Sequence, residues 1–327
     1  MYLAIRDIRA ARGRFGLIAG VVGLITLLVV MLSGLTGGLA KQNTSALEAL
    51  APEGVVVNGE SFPTSRITTD DLSRHPGGAP LGTTQTSMND ESVAVLGLPA
   101  GHKVPGGSIP DDGILVSQSL ADGTSLHPGD TAILAGSRVR VSGVVPTEYF
   151  SHSPVVWANT DTWANVAHAG PGTVGNAILL STQAPGSLSL SDSFKKLPAY
   201  QAEQSSLTLI QVFLYVISAL VTVSFLTVWT IQRTRDLAIL RALGASPSYL
   251  LRDAVGEAAI VLAVGTGMGA LIGAALGALA QNRAPFQLDA ATTVYPALAV
   301  FVLGLMSALV AIRRVTTVDP NDALAAA

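Results

Sequence analysis

The stretch Gln232-Arg-Thr-Arg-Asp-Leu-Ala-Ile-Leu-Arg-Ala-Leu-Gly-Ala-Ser-Pro247 joins two long apolar runs and decides how the rest of the chain is read. It is too short for a soluble domain and too rich in charge for a lipid-facing span. Its spacing predicts a helix from about Thr234 to Leu243 held at a membrane surface. Leu237, Leu240 and Leu243 recur three residues apart on one side, while Arg235, Asp236 and Arg241 flank them. Gly244 is placed to end that helix, and Ser246-Pro247 form the cap and first-turn pair of the next. The residues alone suit both an ordinary interfacial helix and one that presents an apolar stripe to a cytosolic partner.

Working outward, four segments reach the roughly 20 apolar residues that a spanning helix needs: 16–40, 207–231, 254–280 and 294–312. With 49% hydrophobic and only 13% charged residues, the chain as a whole falls outside the composition of a soluble globular domain. Arg6, Arg9, Arg12, Arg14, Arg233, Arg235, Arg241, Arg252, Arg313 and Arg314 all flank the spans on one side. The positive-inside bias therefore predicts a plasma-membrane protein with cytoplasmic N and C termini. Residues 1–15, with apolar positions opposite arginines, read as an amphipathic helix on the membrane lipid surface. Residues 232–253 form the cytoplasmic connector, 281–293 a short extracellular loop and 313–327 a cytoplasmic tail. A net charge of −3 and the lack of a basic block argue against nucleic acid as a partner. Cysteine is absent, so neither disulfides nor thiolate metal sites enter.

Between the first two spans, residues 41–206 alternate short β-rich runs with turn residues. Runs at 54–58, 92–97, 113–117, 131–134, 138–145 and 176–181 read as strands, with His127-Pro-Gly-Asp130 as a tight turn and Pro76-Gly-Gly-Ala-Pro80 as a loop. The expected fold is an α-helical membrane protein with four transmembrane helices in a 1+3 order and an inserted extracellular α+β domain. In the third span Gly265, Gly269, Gly273 and Gly277 recur every fourth residue. Such a groove lets another helix approach closely, for static packing or for sliding.

The motifs of catalysis are missing. There is no phosphate-binding loop, no His-Glu-x-x-His and no Gly-x-Ser-x-Gly, so the chain is read as a non-enzyme. The five histidines all lie in the inserted domain without ligand spacing and read as surface or loop residues. Glu257, in the third span, reads as a snorkelling interfacial acid or as a tie between connector and bundle. Acids at mid-bilayer depth, which a proton relay needs, are absent from the spans.

The connector Arg233-x-Arg-Asp-x-Ala-Ile-Leu-Arg-Ala-Leu-Gly-Ala245 resembles that of FtsX-like/MacB-like permeases of ABC transporters. The 1+3 order, the Leu126-x-Pro-Gly-Asp130 turn and the tail Val318-Asp-Pro-Asn-Asp-Ala-Leu324 are similar too. Within that family, Leu3–Ile8, Arg14–Leu17 and Leu32–Asn43 look most like the Hrt-type haem-efflux permease of Gram-positive bacteria. The resemblance implies a homodimer served by two copies of a separate ABC ATPase subunit, which binds the ATP. Haem would be the transported substrate, with no cofactor of the chain's own. In that scheme Arg235, Asp236, Leu237, Leu240, Arg241, Leu243 and Gly244 receive force from the ATPase, in a mechanotransmission that serves haem detoxification. An FtsX-like transmitter controlling an extracellular cell-wall hydrolase, or a lipoprotein or peptide release permease, is the alternative.

Haem needs an apolar slot, an iron ligand and polar partners for its propionates. The candidates are Tyr200 and Glu203 at the start of span two, Gln211, Phe213 and Tyr215 further along it, and Met31 in span one. Tyr200, Glu203, Leu207, Gln211 and Leu214 trace one helical stripe. An interfacial aromatic, a helix-start acid and a packed core methionine are the plainer readings of Tyr200, Glu203 and Met31.

Overall fold

The computed structural model describes residues 12–232, 244–281 and 284–316. It divides into two compact units, one formed by the spanning helices (residues 1–38 and 206–327) and one by residues 39–205. Four helices are long and apolar enough to cross a membrane. They are α1 (Arg12–Leu50), α6 (Pro198–Gln232), α7 (Pro247–Ala280) and α8 (Ala290–Thr316). Each outruns its apolar segment. α1 continues to Leu50, where Ala51 adopts a left-handed φ of +44° and Pro52 follows, so the helix cannot extend. Ser246 caps α7 by accepting from the Tyr249 N–H, with Pro247 in the first turn. Asp289 caps α8 by accepting from the Thr292 N–H at 2.8 Å, and these bonds hold its carboxyl below the usual range.

In the helical unit the core is built on α1. Phe15, Ile18, Val22, Ile25 and Val29 share one face and meet Val261 and Leu262 of α7 and Val300 of α8. Hydroxyls that would be orphaned in lipid bond back to their own helix: Thr26 to the Val22 carbonyl, Thr222 to Ser218 and Thr266 to Leu262. α6 is the least covered of the four. Leu209, Phe213, Val216, Ile217 and Leu220 all lie exposed on it. Glu257 is only 3% exposed, so it sits inside the bundle and does not snorkel at its surface.

The inserted unit is a sheet closed on itself. Strands β3 (Ala79–Met88), β4 (Glu91–Leu98), β11 (Ser153–Asn159), β7 (Ile114–Ser117), β9 (Ser137–Val145) and β8 (Thr131–Leu134) pair in that order. β8 then returns to β3 through Met88 and Leu134. β1 (Gly54–Val56) and β13 (Ala177–Leu180) extend the sheet beside β3. Both faces are covered, so strands such as β4 and β11 read as unbroken apolar runs. Met88, Val93, Val95, Ile114, Val116, Leu134, Val141 and Val156 fill one face. Leu96, Leu98, Leu115, Val155 and Trp157 fill the other, where Ala46 and Leu47 of α1 join them. Trp163, on α4 (Thr160–Val166), is 2% exposed. It sits over the cross-strand pair Gly82–Gly97, where any Cβ would overlap the indole.

The structure confirms the expected four-helix, inserted-sheet architecture. It adds further strands to the expected set, of which β3 and β11 are the longest. Both contain a proline near their start (Pro80 and Pro154) and β3 is polar along its middle, which masks the alternation. Pro80 is thus in a strand and not in a loop.

Candidate functional site

The candidate residues divide between the two units. In the inserted unit, Tyr200 packs against the domain core, its ring edge-on to Phe194 at 5.8 Å. Three residues on, Glu203 accepts two hydrogen bonds. One comes from His152 Nε2 to Oε1 at 2.6 Å, the other from Asn43 Nδ2 to Oε2 at 3.0 Å. Asn43 is fully buried; its second amide hydrogen goes to the Leu39 carbonyl at 3.1 Å, and among the described residues its Oδ1 lacks a hydrogen-bond partner. The other ring nitrogen of His152 lies 3.5 Å from the Gln42 side-chain oxygen.

The hairpin turn between β10 (Tyr149–Phe150) and β11 delivers His152 to this cluster. Its backbone is pinned to α1: the His152 N–H donates to the Gln42 carbonyl at 2.9 Å and the Ser151 N–H to the Asn43 carbonyl at 3.2 Å. The Tyr149 N–H donates to Ser45 Oγ at 2.8 Å, and Gln85 Nε2 donates to the Ser151 carbonyl at 2.9 Å. His152 is a loop histidine, as expected, and its ring is in addition an engaged partner of a candidate site residue. No sequence signal links it to Glu203 or Asn43, which lie 51 and 109 positions away.

In the helical unit, Gln211 donates from Nε2 to Ser33 Oγ on α1, a polar tie between the first two spans. Tyr215 is half-buried against the bundle core and Met31 is partly buried. Phe213 is 57% exposed. It stands about 200° around the helix from Gln211, so the two point to different sides.

The stripe of α7 meets α1 of the same chain. A Cβ at Gly265 would lie 2.8 Å from the Ala19 carbonyl oxygen, and one at Gly269 would lie 2.8 Å from Thr26 Cβ and 3.0 Å from the Gly23 carbonyl carbon. Gly273 faces Val30, and Gly277 faces the ring of Phe286. That ring, 9% exposed, also lies against Gly34, while Gly38 receives the Pro285 backbone and the Gln287 N–H donates to the Gly34 carbonyl at 2.9 Å. The glycines of Gly34-Leu-Thr-Gly-Gly38 thus form a seat for the loop between α7 and α8.

Of the connector residues, Gly244 has φ +94°, a backbone conformation that glycine adopts without strain. Arg235, Asp236, Leu237, Leu240, Arg241 and Leu243 lie outside the described residues. Among the described residues no group of three His, Cys, Asp or Glu side chains could hold a metal ion.

Four spans, an inserted sheet unit and a short charged connector define a permease architecture, and residues 208–320 match the family model for the FtsX-like permease C-terminal region. That match covers the three spans that follow the inserted unit, α6 to α8. Over its length the chain is also homologous to more particular proteins. A Staphylococcus haemolyticus protein provisionally named a hemin transport system permease, HrtB, is 27% identical over 350 residues, 99% of each chain. Its Staphylococcus epidermidis namesake is 24% identical over 348 residues, again 99% of each. An uncharacterised ABC transporter permease of Mycobacterium tuberculosis is 25% identical over 353 residues, 99% of each.

Proposed function

We propose that this chain is the permease subunit of an ABC-type exporter that moves haem, or a similar planar amphiphile, from the membrane to the exterior. The observation that carries this reading is end-to-end likeness to the hemin-named permeases, including the inserted unit and not only the FtsX-like region. In this reading the chain acts as a homodimer with a separate ATPase pair, and its termini and connector are cytoplasmic. The exposed apolar face of α6 supports it, because a second copy or lipid must cover that face. Substrate contacts fall to side chains free to turn toward lipid, Phe213 first, and then to Met31 and Tyr215, which are partly buried. Glu203 and Tyr200 then serve the substrate indirectly, through the shape of the junction they hold.

The catalytic work lies in the partner. Closure of the ATPase pair pushes on the connector helix, and the spanning helices carry that push outward as a shift between two arrangements. The test is co-reconstitution with the cognate ATPase in proteoliposomes. Hemin should raise ATP hydrolysis severalfold and leave the membrane only when ATP is present. Hydrolysis indifferent to hemin, together with unchanged hemin tolerance in a deletion strain, would remove haem as the load. Capture of a cell-wall hydrolase by residues 41–206 would then favour a signal transmitter.

A further inference from the structure

The unit of residues 39–205 is an insertion, so its only covalent links to the spanning helices are at its two ends. Asn43 lies on α1 just inside the first link and Glu203 on α6 just inside the second. The Asn43–Glu203 hydrogen bond therefore sets the spacing of the two chain crossings directly. His152 adds a third arm, which joins both helices to the sheet through the β10–β11 turn.

That turn is held in an unfavourable backbone conformation. Ser151 and His152 are consecutive non-glycine residues in the left-handed region, with φ of +47° and +67°. L-residues persist there only where the surroundings over-determine them. Here the surroundings are the four backbone and side-chain bonds to Gln42, Asn43, Ser45 and Gln85 and the contact with Glu203. Release of Glu203 removes one of the restraints that keep the turn in place, while the rest still hold it to α1. In the structure every arm is engaged.

We propose that the Asn43–Glu203–His152 cluster is a releasable clasp on the two chain crossings, and that its opening converts movement of the spanning helices into a change of shape in the sheet unit. The proposal rests on the force-relay reading above. It makes Glu203 and His152 positioning residues that act through the helices they join.

The chain has no cysteine, so labels can be placed cleanly. Lys41→Cys and Gln201→Cys, both exposed positions beside the cluster, carry spin labels in the full permease–ATPase complex, diluted with unlabelled permease. Pulsed dipolar spectroscopy then reads their separation without nucleotide and with trapped ATP. The clasp predicts a narrow distribution that shifts on trapping by about 5 Å, one helical turn. His152→Ala and Glu203→Ala should populate the shifted distance without nucleotide, whereas His152→Gln, which keeps a donor, should hold the closed one. Identical distributions with and without trapped ATP, in a complex that hydrolyses ATP, overturn the clasp. A nucleotide-driven shift in a complex whose hydrolysis ignores hemin leaves the clasp standing and removes only the haem reading.

Discussion

Gly267 and Gly269 sit two residues apart on α7, yet alanine should have opposite effects at the two. At Gly269 the new methyl would lie 2.8 Å from Thr26 Cβ and 3.0 Å from the Gly23 carbonyl carbon, against an ordinary contact of 3.4 Å or more. The methyl would also overlap the Gly23 carbonyl oxygen, and much of what must yield is backbone, so α1 and α7 have to part as whole helices. Overpacking of this kind costs about 1–3 kcal/mol. The loss extends along the seam, since Gly265 and Gly273 close the same interface. At Gly267 the methyl meets none of the described residues within 4 Å, and replacing glycine in a helix is worth up to about 1 kcal/mol. The two variants should therefore differ by about 2 kcal/mol, or on the order of 5 °C in midpoint. Thermal unfolding in detergent, followed by size-exclusion of the fluorescently tagged protein, measures it. Equal shifts in both variants, or a stabilised Gly269→Ala, would refute the claim that the stripe is a close backbone seam with α1.

Removing the Phe286 ring empties the seat formed by Gly34 and Gly277, so Phe286→Ala should destabilise the helical unit by about 2 kcal/mol. This is below the 3–5 kcal/mol of a soluble core, because lipid itself is apolar; the same thermal assay reads it. Gly34→Leu should be at least as damaging, since its side chain needs the space the ring fills. Burial lowers the His102 pKa below its ordinary value of 6.5, so the unfolded state binds the proton first. That contribution to stability is complete above pH 6.5 and declines as pH falls below it. Hydrogen exchange over residues 99–109, corrected for intrinsic rates, should quicken between pH 7.5 and 5.5, and His102→Gln should abolish the difference. In the connector, Leu240→Asp and Arg241→Glu should leave membrane insertion intact while uncoupling ATP hydrolysis from efflux; normal transport in both would mean that force enters elsewhere.

Much of the inserted unit could be read from local pattern. The runs at 113–117 and 131–134 are strands, and His127–Asp130 is a turn in which the Asp130 carboxylate accepts from the His127 N–H at 2.8 Å. β3 escaped because Thr83 to Ser87 look like a polar loop until β4 pairs with them. The candidate residues fared differently. Gln211 was legible as an inward polar group, and Ser33 is its partner. Tyr200 and Glu203 were legible as facing inward from one helical stripe, but not as belonging to the core and to a hydrogen-bonded junction.

Hydropathy along a single helix is a local property. The four spans, the cap at Ser246 and the place of the insertion could therefore be read from residue order alone. Partnership across the fold is not local. Asn43, His152 and Glu203 are separated by 109 and 51 residues, and they meet only because the sheet's register carries the β10–β11 turn onto α1. Likewise the four-residue glycine period announced a close helix neighbour, but naming α1 and Phe286 as those neighbours required the packed bundle, because many helix pairings satisfy the same one-dimensional pattern.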